Sequence, residues 1–326
     1  MPATELHIAH TVGSPPLLQA PEATSAGEAA AWTAAHRVEV RDAVRAHGAL
    51  VLRGLGLRTA GDMERVSSAL VAHRVVEREA FAKRRRYADG VYSSSIWPPG
   101  EQMCMHHELS YALEVPGLLL FGCLRAATAG GATPLADSHE MLRTLPPAVV
   151  TRFEREGWLL TRNYNQVGPS WSEAFGTTDR TVVDEYCRSH AIDREWRPDG
   201  GLRTHQRRPA MVRHPVSGRP GWFNQVAFLN EWTLDPAIRE YLVETYGHEE
   251  LPTNTRYGDG RPIEAGVVQA INETYEAQTL RLPWRDGDLL VVDNIRMAHG
   301  REPFEGTREV AVVMGEPTRP QPHRGR

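Results

Sequence analysis

The fold is decided by two segments, Met105-His106-His107-Glu108-Leu109-Ser110-Tyr111 and Asp293-Asn294-Ile295-Arg296-Met297-Ala298-His299-Gly300-Arg301. The first contains His106-x-Glu108, and side chains two residues apart share one face of an extended strand. This spacing predicts a strand that presents an imidazole and a carboxylate together. The second segment supplies another imidazole, at His299. Together the two segments predict a metal site that joins distant parts of the chain.

The chemistry of this residue set favours iron. Two histidines and one carboxylate on one face of an octahedral ion leave three positions open, the arrangement of non-haem Fe(II) oxygenases. Arg308 adds a planar guanidinium, which can hold a carboxylate of a co-substrate through two hydrogen bonds. A zinc-protease helix is excluded, because the motif that begins at His107-Glu108 has Tyr111 where a second histidine is required.

The residues around His299 predict two strands. Leu289-Leu290-Val291-Val292-Asp293 is an apolar run that is typical of a buried strand, and Arg308-Glu309-Val310-Ala311-Val312-Val313-Met314 is typical of another. We therefore expect His299 and Arg308 to lie on neighbouring strands.

Further motifs accompany these residues. They are Gly130-Gly131-Ala132-Thr133-Pro134-Leu135-Ala136-Asp137, Gly287-Asp288-Leu289-Leu290, His299-Gly300-Arg301-x-Pro303-Phe304-x-Gly306-x-Arg308, Trp222-Phe223-Asn224-Gln225 and Tyr257-Gly258-Asp259-Gly260. With His106-x-Glu108, the pattern resembles the taurine dioxygenase and clavaminate synthase superfamily of Fe(II)- and 2-oxoglutarate-dependent oxygenases, from about His47 to Met314. Within it, the chain is similar to the syringomycin-biosynthesis-like branch, which hydroxylates amino acids in antibiotic and siderophore pathways.

The resemblance implies a role for five residues. His106, Glu108 and His299 become the iron ligands, and Thr133 and Arg308 bind the distal carboxylate of 2-oxoglutarate. The implied cofactors are Fe(II), 2-oxoglutarate as co-substrate, and O2. An unpaired carboxylate in a partly dry pocket would cost several kcal/mol, so a guanidinium and a hydroxyl are suitable partners. From the residues alone, Thr133 is also explained by turn chemistry after Gly130-Gly131, and Arg308 by a surface strand.

The function that the resemblance implies is oxidation of an unactivated C–H bond, with hydroxylation expected first and desaturation or epoxidation as alternatives. The substrate is an amino acid or an amino-acid derivative of specialised metabolism, free or tethered to a carrier protein. Halogenating relatives replace the carboxylate ligand with a small residue, so Glu108 argues against halogenation. A metal-binding sensor or binding protein is the non-enzyme alternative. Metal-dependent hydrolysis would need a base beside a metal-bound water, and the sequence offers no convincing one.

Candidate substrate contacts lie in a long segment, about 159–283, between the two ligand segments. The resemblance places substrate-covering elements there, and the sequence predicts loops and helices with only a few strands. The polar residues that we consider for substrate contact are Asn163, Asn165, Arg203 and Asn224. Helix caps and core packing explain each of them equally well.

The predicted fold class is mainly β with outer helices, a double-stranded β-helix (jelly roll). Residues 1–35 are expected to form a partly ordered extension, residues 36–315 a single oxygenase domain, and residues 316–326 a flexible tail. A helix is predicted from Thr59 to His73, a buried strand over Gly117–Leu124, and another helix from Leu135.

Composition narrows the remaining possibilities. A formal net charge of −4 and a pI near 6.4 give no basic surface for nucleic acid. The amino terminus carries Glu5 and lacks the pattern of a secretory signal, and apolar runs are too short for a membrane span. Three scattered cysteines exclude a disulfide framework. We therefore expect a cytoplasmic protein with a small-molecule substrate, and the sequence leaves its oligomeric state open.

Overall fold

The computed structural model describes residues 6–79, 81–164 and 167–323. Within these ranges the strands are β1 (Ile8–Ala9), β2 (Leu17–Gln19), β3 (Ala49–Arg53), β4 (Arg86–Ala88), β5 (Val91–Ser93), β6 (Met103–His106), β7 (Val115–Arg125), β8 (Ala129–Gly130), β9 (Leu135–Asp137), β10 (Trp158–Tyr164), β11 (Asp193–Trp196), β12 (Leu202–Arg208), β13 (Met211–Arg213), β14 (Pro220–Trp222), β15 (Thr253–Tyr257), β16 (Leu289–Asp293), β17 (Met297–Arg301), β18 (Phe304–Glu305), β19 (Glu309–Thr318) and β20 (Gln321–Pro322). The helices are α1 (Ala26–Ala35), α2 (Arg37–His47), α3 (Ala60–Leu70), α4 (Ser138–Thr144), α5 (Pro147–Glu156), α6 (Trp171–Phe175), α7 (Arg180–Ser189), α8 (Pro236–Tyr246) and α9 (Ala265–Ala277).

The largest sheet has eight strands in the order β1-β2-β3-β16-β7-β19-β5-β4. Its neighbours are antiparallel except β2 and β3. Strand β7 is buried along most of its length and pairs with both β16 and β19, which confirms the strand predicted over Gly117–Leu124. Helix α3 covers this sheet, and it begins with a capping box at Thr59 and buries Met63 and Val66. The helix predicted from Thr59 is thus confirmed.

A small sheet, β6-β17-β9, faces the large one. The ring of Phe121 in β7 lies 5.1 Å from that of His299 in β17, so side chains of the two sheets meet. The expectation that His299 and Arg308 lie on neighbouring strands is wrong. Between them the chain crosses from one sheet to the other through β18, and Gly306 turns it with a positive φ. Arg308 then comes immediately before β19 in the large sheet.

The segment 159–283 contains more sheet than predicted. A four-stranded antiparallel sheet, β11-β12-β10-β15, forms much of it, and β13 and β14 add a hairpin. Strand β12 shows why the sequence conceals these strands. Its inward positions include Thr204 and Gln206, both buried, so the apolar alternation that marks a strand is missing.

The termini and one helix also differ from expectation. From Leu6 onward the first segment is well integrated, because β1 and β2 extend the large sheet and α1 buries Ala29. The helix expected from Leu135 begins only at Ser138, since the residues before it form β9. The expected flexible tail is partly strand: β19 continues to Thr318, and β20 pairs with β13. The single-domain organisation of residues 36–315 stays a prediction.

The chain therefore folds as a mixture of helices and mainly antiparallel sheets, with the two sheets described above enclosing the centre. Among the described residues, no helix combines the length and apolar character that crossing a membrane would require.

One glycine of the Tyr257-Gly258-Asp259-Gly260 motif gives a test of the packing. A Cβ on Gly258 would lie 1.8 Å from the carbonyl oxygen of Glu156, so the backbone must move. We expect Gly258→Ala to lower the free energy of unfolding by about 1–3 kcal/mol. Gly266→Ala in α9, where a Cβ meets nothing within 4 Å, should raise it by up to about 1 kcal/mol. Urea unfolding followed by tryptophan fluorescence measures both, and equal changes would contradict the packing described.

Candidate metal centre

Two histidines face each other across the pairing of β6 and β17. His106 and His299 are register partners in this antiparallel pair, and their ring centroids lie 4.4 Å apart. Directly opposed residues of antiparallel strands project from the same face of the sheet. The strand pairing therefore brings together two imidazoles that are distant in sequence.

Glu108 reaches the same place from a turn. Strand β6 ends at His106, so the prediction that Glu108 lies on the strand is wrong. Its backbone N–H donates to Oδ1 of Asn294 at 2.8 Å, and Nδ2 of Asn294 donates to the Glu108 carbonyl at 3.0 Å. Leu109 adopts a positive φ of 55°, which turns the chain away. The Asn294 side chain thus fixes the turn, and the sequence analysis did not foresee its role.

The three side chains form a compact donor set. One ligand atom from each of His106, Glu108 and His299 lies within 4.8 Å of the others, and all three residues are buried. Nε2 of His299 is 3.7 Å from Oε2 of Glu108. Nδ1 of His106 bonds to the Cys104 carbonyl at 2.8 Å, which leaves its Nε2 free. Two imidazole nitrogens and one carboxylate oxygen match the donor set of a non-haem Fe(II) centre.

The protonation states suit a metal. Burial and, to a smaller extent, the neighbouring His299 lower the pKa of His106 to about 3, so the imidazole stays neutral. Burial alone would raise the pKa of Glu108, but the charge of Arg84 and the nearby imidazole of His299 outweigh it and hold that pKa well below its usual range. A neutral imidazole at His106 and an ionised carboxylate at Glu108 are the forms that bind metal.

The guanidinium of Arg308 and the hydroxyl of Thr133 lie in the same cavity. Both histidines, Glu108, Thr133 and Arg308 line one cavity. Nε of Arg308 donates to the Gly131 carbonyl at 2.8 Å and its Nη2 donates to Oγ1 of Thr133 at 3.3 Å. The Thr133 hydroxyl also accepts from Nε1 of Trp284 at 3.2 Å.

Among the described residues, the Arg308 guanidinium has no acidic partner of its own. No carboxylate forms an ion pair with it within residues 6–79, 81–164 and 167–323. Burial lowers the pKa of Arg308 to about 10, and the charge of Arg301 also lowers it, yet this guanidinium remains charged at neutral pH. A half-buried, unpaired guanidinium beside the donor set is suited to an anionic ligand.

The predicted substrate residues that the structure describes, Asn163, Arg203 and Asn224, do not line the metal cavity. Asn163 lines a second cavity, but its amide is already bonded to the Leu251 carbonyl and to Nε of Arg203. Arg203 also holds the Glu249 carbonyl, and Asn224 bonds to the Ala210 carbonyl and the N–H of Val226. Arg203 and Asn224 thus make structural contacts rather than lining the metal cavity. Asn165 lies outside the described residues.

The second cavity is lined by Phe228 and lies on the side of that ring away from the donor set. The ring of Phe228 stacks on that of His106 with centroids 4.5 Å apart, and it also contacts Phe81 and Trp97. Sequence reasoning missed Phe228, whose only signal is its position shortly after the Trp222-Phe223-Asn224-Gln225 motif. It also missed Arg84, whose Nη2 lies 2.9 Å from Oε2 of Glu108.

The donor set, the cavity and the unpaired guanidinium define a site of the non-haem iron oxygenase class. The comparisons agree. The family model for the taurine catabolism dioxygenase TauD, TfdA family matches residues 14–314, and the chain belongs to that family. It is a non-haem iron dioxygenase whose cofactors are Fe(II), 2-oxoglutarate and O2. The non-enzyme alternative is therefore set aside.

Individual relatives extend the comparison. The chain is 36% identical over 274 residues to the dapdiamide synthesis protein DdaC of Enterobacter agglomerans, covering 84% of this chain and 83% of the relative. It is 27% identical over 283 residues to a clavaminate synthase-like protein of Arabidopsis thaliana, covering 82% and 81%. An asparagine oxygenase structure with Fe(II), 3-hydroxyasparagine and succinate aligns with a TM-score of 0.55 and 14% identity, covering 89% and 81%. This last likeness supports the fold.

The donor set predicts which histidines the metal requires. We expect His299→Ala to lose the weak visible charge-transfer band that anaerobic Fe(II) and 2-oxoglutarate produce, because one of three ligands is gone. The melting temperature should change little, since His299 lines a cavity. His73→Ala, at an exposed histidine, is the matched control and should keep the band. A His299→Ala protein with a band of full intensity would contradict the assignment.

Proposed function

We propose that the protein hydroxylates an unactivated C–H bond of an amino acid or amino-acid derivative in specialised metabolism. In this proposal, His106, Glu108 and His299 hold Fe(II), and Arg308 with Thr133 holds the distal carboxylate of 2-oxoglutarate. The observation that carries it is the combination, in one cavity, of the buried donor set and a guanidinium that has no acidic partner among the described residues. The two-sheet arrangement around this cavity supports a double-stranded β-helix.

Each side chain has a defined task. Bound Fe(II), with 2-oxoglutarate and O2, supplies the oxidising chemistry that no side chain provides. The hydrogen bond from His106 to the Cys104 carbonyl fixes its tautomer and ring orientation. The guanidinium of Arg308 and the hydroxyl of Thr133 bind the distal carboxylate of 2-oxoglutarate and so fix its position. Phe121 and Phe228 contact the histidine rings and shield the centre from water. No general acid or base is required.

The substrate class is supported by two relatives and one cavity. DdaC is described as a dapdiamide synthesis protein, and the asparagine oxygenase structure contains a hydroxylated amino acid. The cavity beyond Phe228 has aromatic and aliphatic walls that include Phe81, Trp97 and Leu229, which suits the carbon skeleton of an amino-acid derivative. Presentation by a carrier protein is compatible with this cavity and belongs to the proposal. Desaturation and epoxidation remain the alternative outcomes, and the cytoplasmic location stays a prediction.

Arg308 tests the co-substrate site. Arg308→Ala leaves the distal carboxylate unpaired, and losing one partner of a buried pair costs about 3–5 kcal/mol. The affinity for 2-oxoglutarate should therefore fall on the order of a hundredfold or more. In Arg308→Lys, which keeps the positive charge but loses the two-pronged guanidinium, the affinity should fall less. Arg319→Ala, at an arginine whose side chain is 72% exposed, should bind normally. Succinate formation at varied 2-oxoglutarate measures this. Unchanged affinity in Arg308→Ala would remove the residue from the site.

The reaction itself is tested with a panel of amino acids and amino-acid thioesters, Fe(II), 2-oxoglutarate and O2. We expect one substrate class to give succinate and a product that has gained one oxygen atom, in buffers with or without high chloride. Chloride should be irrelevant because Glu108 keeps its coordination position filled. Mass spectrometry measures the mass of the product. Loss of two hydrogens would replace hydroxylation with desaturation, and a halogenated product would contradict the role of Glu108.

A further inference from the structure

Arg84 is a buried arginine that lies between two carboxylates beside the metal centre. Its side chain is 8% exposed, its Nη2 lies 2.9 Å from Oε2 of Glu108, and its Nε lies 3.4 Å from Oε2 of Glu77. Burial alone would lower the pKa of Arg84, but the charges of Glu108 and Glu77 outweigh it and raise that pKa. The guanidinium is therefore permanently charged.

The segment that leads to Arg84 is anchored at two points. Before it, the Glu79 carbonyl accepts hydrogen bonds from Nη1 of Arg162 at 2.7 Å and from the Tyr111 hydroxyl at 3.1 Å, and Oε1 of Glu79 accepts from the Tyr186 hydroxyl at 2.8 Å. Just before Arg84, the Lys83 carbonyl accepts the N–H of Ile96 at 2.9 Å. These bonds fix the position from which Arg84 reaches the centre.

Glu108 needs such a partner. It lies in a turn, and glutamate has one more rotatable bond than aspartate, so its backbone alone does not orient the carboxylate. Oε2, the oxygen that Arg84 contacts, is also the oxygen 3.7 Å from Nε2 of His299. A carboxylate oxygen has two acceptor positions. It can therefore accept from Arg84 and still present a lone pair toward the two histidines.

The positive charge of Arg84 works against metal binding. A guanidinium beside the donor set repels a divalent cation, and in a buried site that repulsion is strong. Glu77 offsets it, because its carboxylate contacts the far side of the same guanidinium. The Glu77–Arg84 pair therefore supplies a directional hydrogen bond to Glu108 with little net charge.

We propose that Arg84 is a positioning residue that orients Glu108 for metal binding, and that Glu77 neutralises the charge of Arg84. This inference rests on the proposed assignment of Glu108 as a ligand. Loss of a hydrogen-bond partner of a metal ligand typically weakens metal affinity by about 10–100-fold. Loss of an isolated positive charge would instead strengthen it. The two effects have opposite signs, so the sign of the change decides between them.

The first test is anaerobic titration of the complete chain with Co(II) or Fe(II) alone, which needs no substrate. Arg84→Gln should bind the metal about 10–100-fold more weakly than the parent protein. Arg86→Gln, the same change two residues away at a side chain that is 65% exposed, should bind as the parent does. Glu77→Gln should also bind more weakly, because Arg84 then carries an uncompensated charge. Equal or tighter binding by Arg84→Gln would overturn the inference.

A double-mutant cycle shows whether Arg84 acts through Glu108 and covers the case in which Arg84→Gln is poorly folded. Glu108→Asp shortens the ligand by one methylene and withdraws it from Arg84, so adding Arg84→Gln in that background should change metal affinity by less than about threefold. A full loss in both backgrounds would overturn the inference. Glu108→Ala separates the two proposals: if it binds the metal as the parent does, the metal centre itself is wrong.

Discussion

The antiparallel register of β6 and β17 is the constraint on which the site depends. It places His106 opposite His299, and a slip of one residue would turn one imidazole to the other face of the sheet. The turn after β6 then brings Glu108 to the same point, and the Asn294 amide ties that turn to the end of β16. Three ligands from two segments are therefore fixed by one strand pairing and one side-chain clamp.

The large sheet forms the other wall of the cavity that contains these three side chains. Phe121 of β7 contacts His299, and Val310 and Val312 of β19 line the same cavity. Arg308 stands where the chain enters β19, so its guanidinium meets Thr133 from across the cavity. In the proposed assignment, the two histidine ligands therefore lie on the small sheet, and Arg308 lies immediately before a strand of the large sheet. The segment 159–283 closes the other side through Phe228, which stacks on His106.

The sequence predicted which side chains meet in the cavity better than it predicted their surroundings. His106, Glu108, His299, Thr133 and Arg308 were named from motif spacing and the family resemblance that it carries, and the structure brings all five to one cavity. The sheet of β10, β12 and β15 was missed because buried positions such as Gln206 are polar, and period-two patterns require apolar residues. Arg84 carries no local signal. Its role depends on a chain segment anchored by long-range hydrogen bonds to Glu79, which spacing cannot reveal.

The most direct test of this account is a crystal structure of the protein grown anaerobically with Fe(II) and 2-oxoglutarate, with anomalous data collected on both sides of the iron absorption edge. The account predicts an iron peak in contact with Nε2 of His106, Nε2 of His299 and a carboxylate oxygen of Glu108, with the far carboxylate of 2-oxoglutarate on Arg308. An iron peak elsewhere, or a co-substrate whose far carboxylate avoids Arg308, would contradict it.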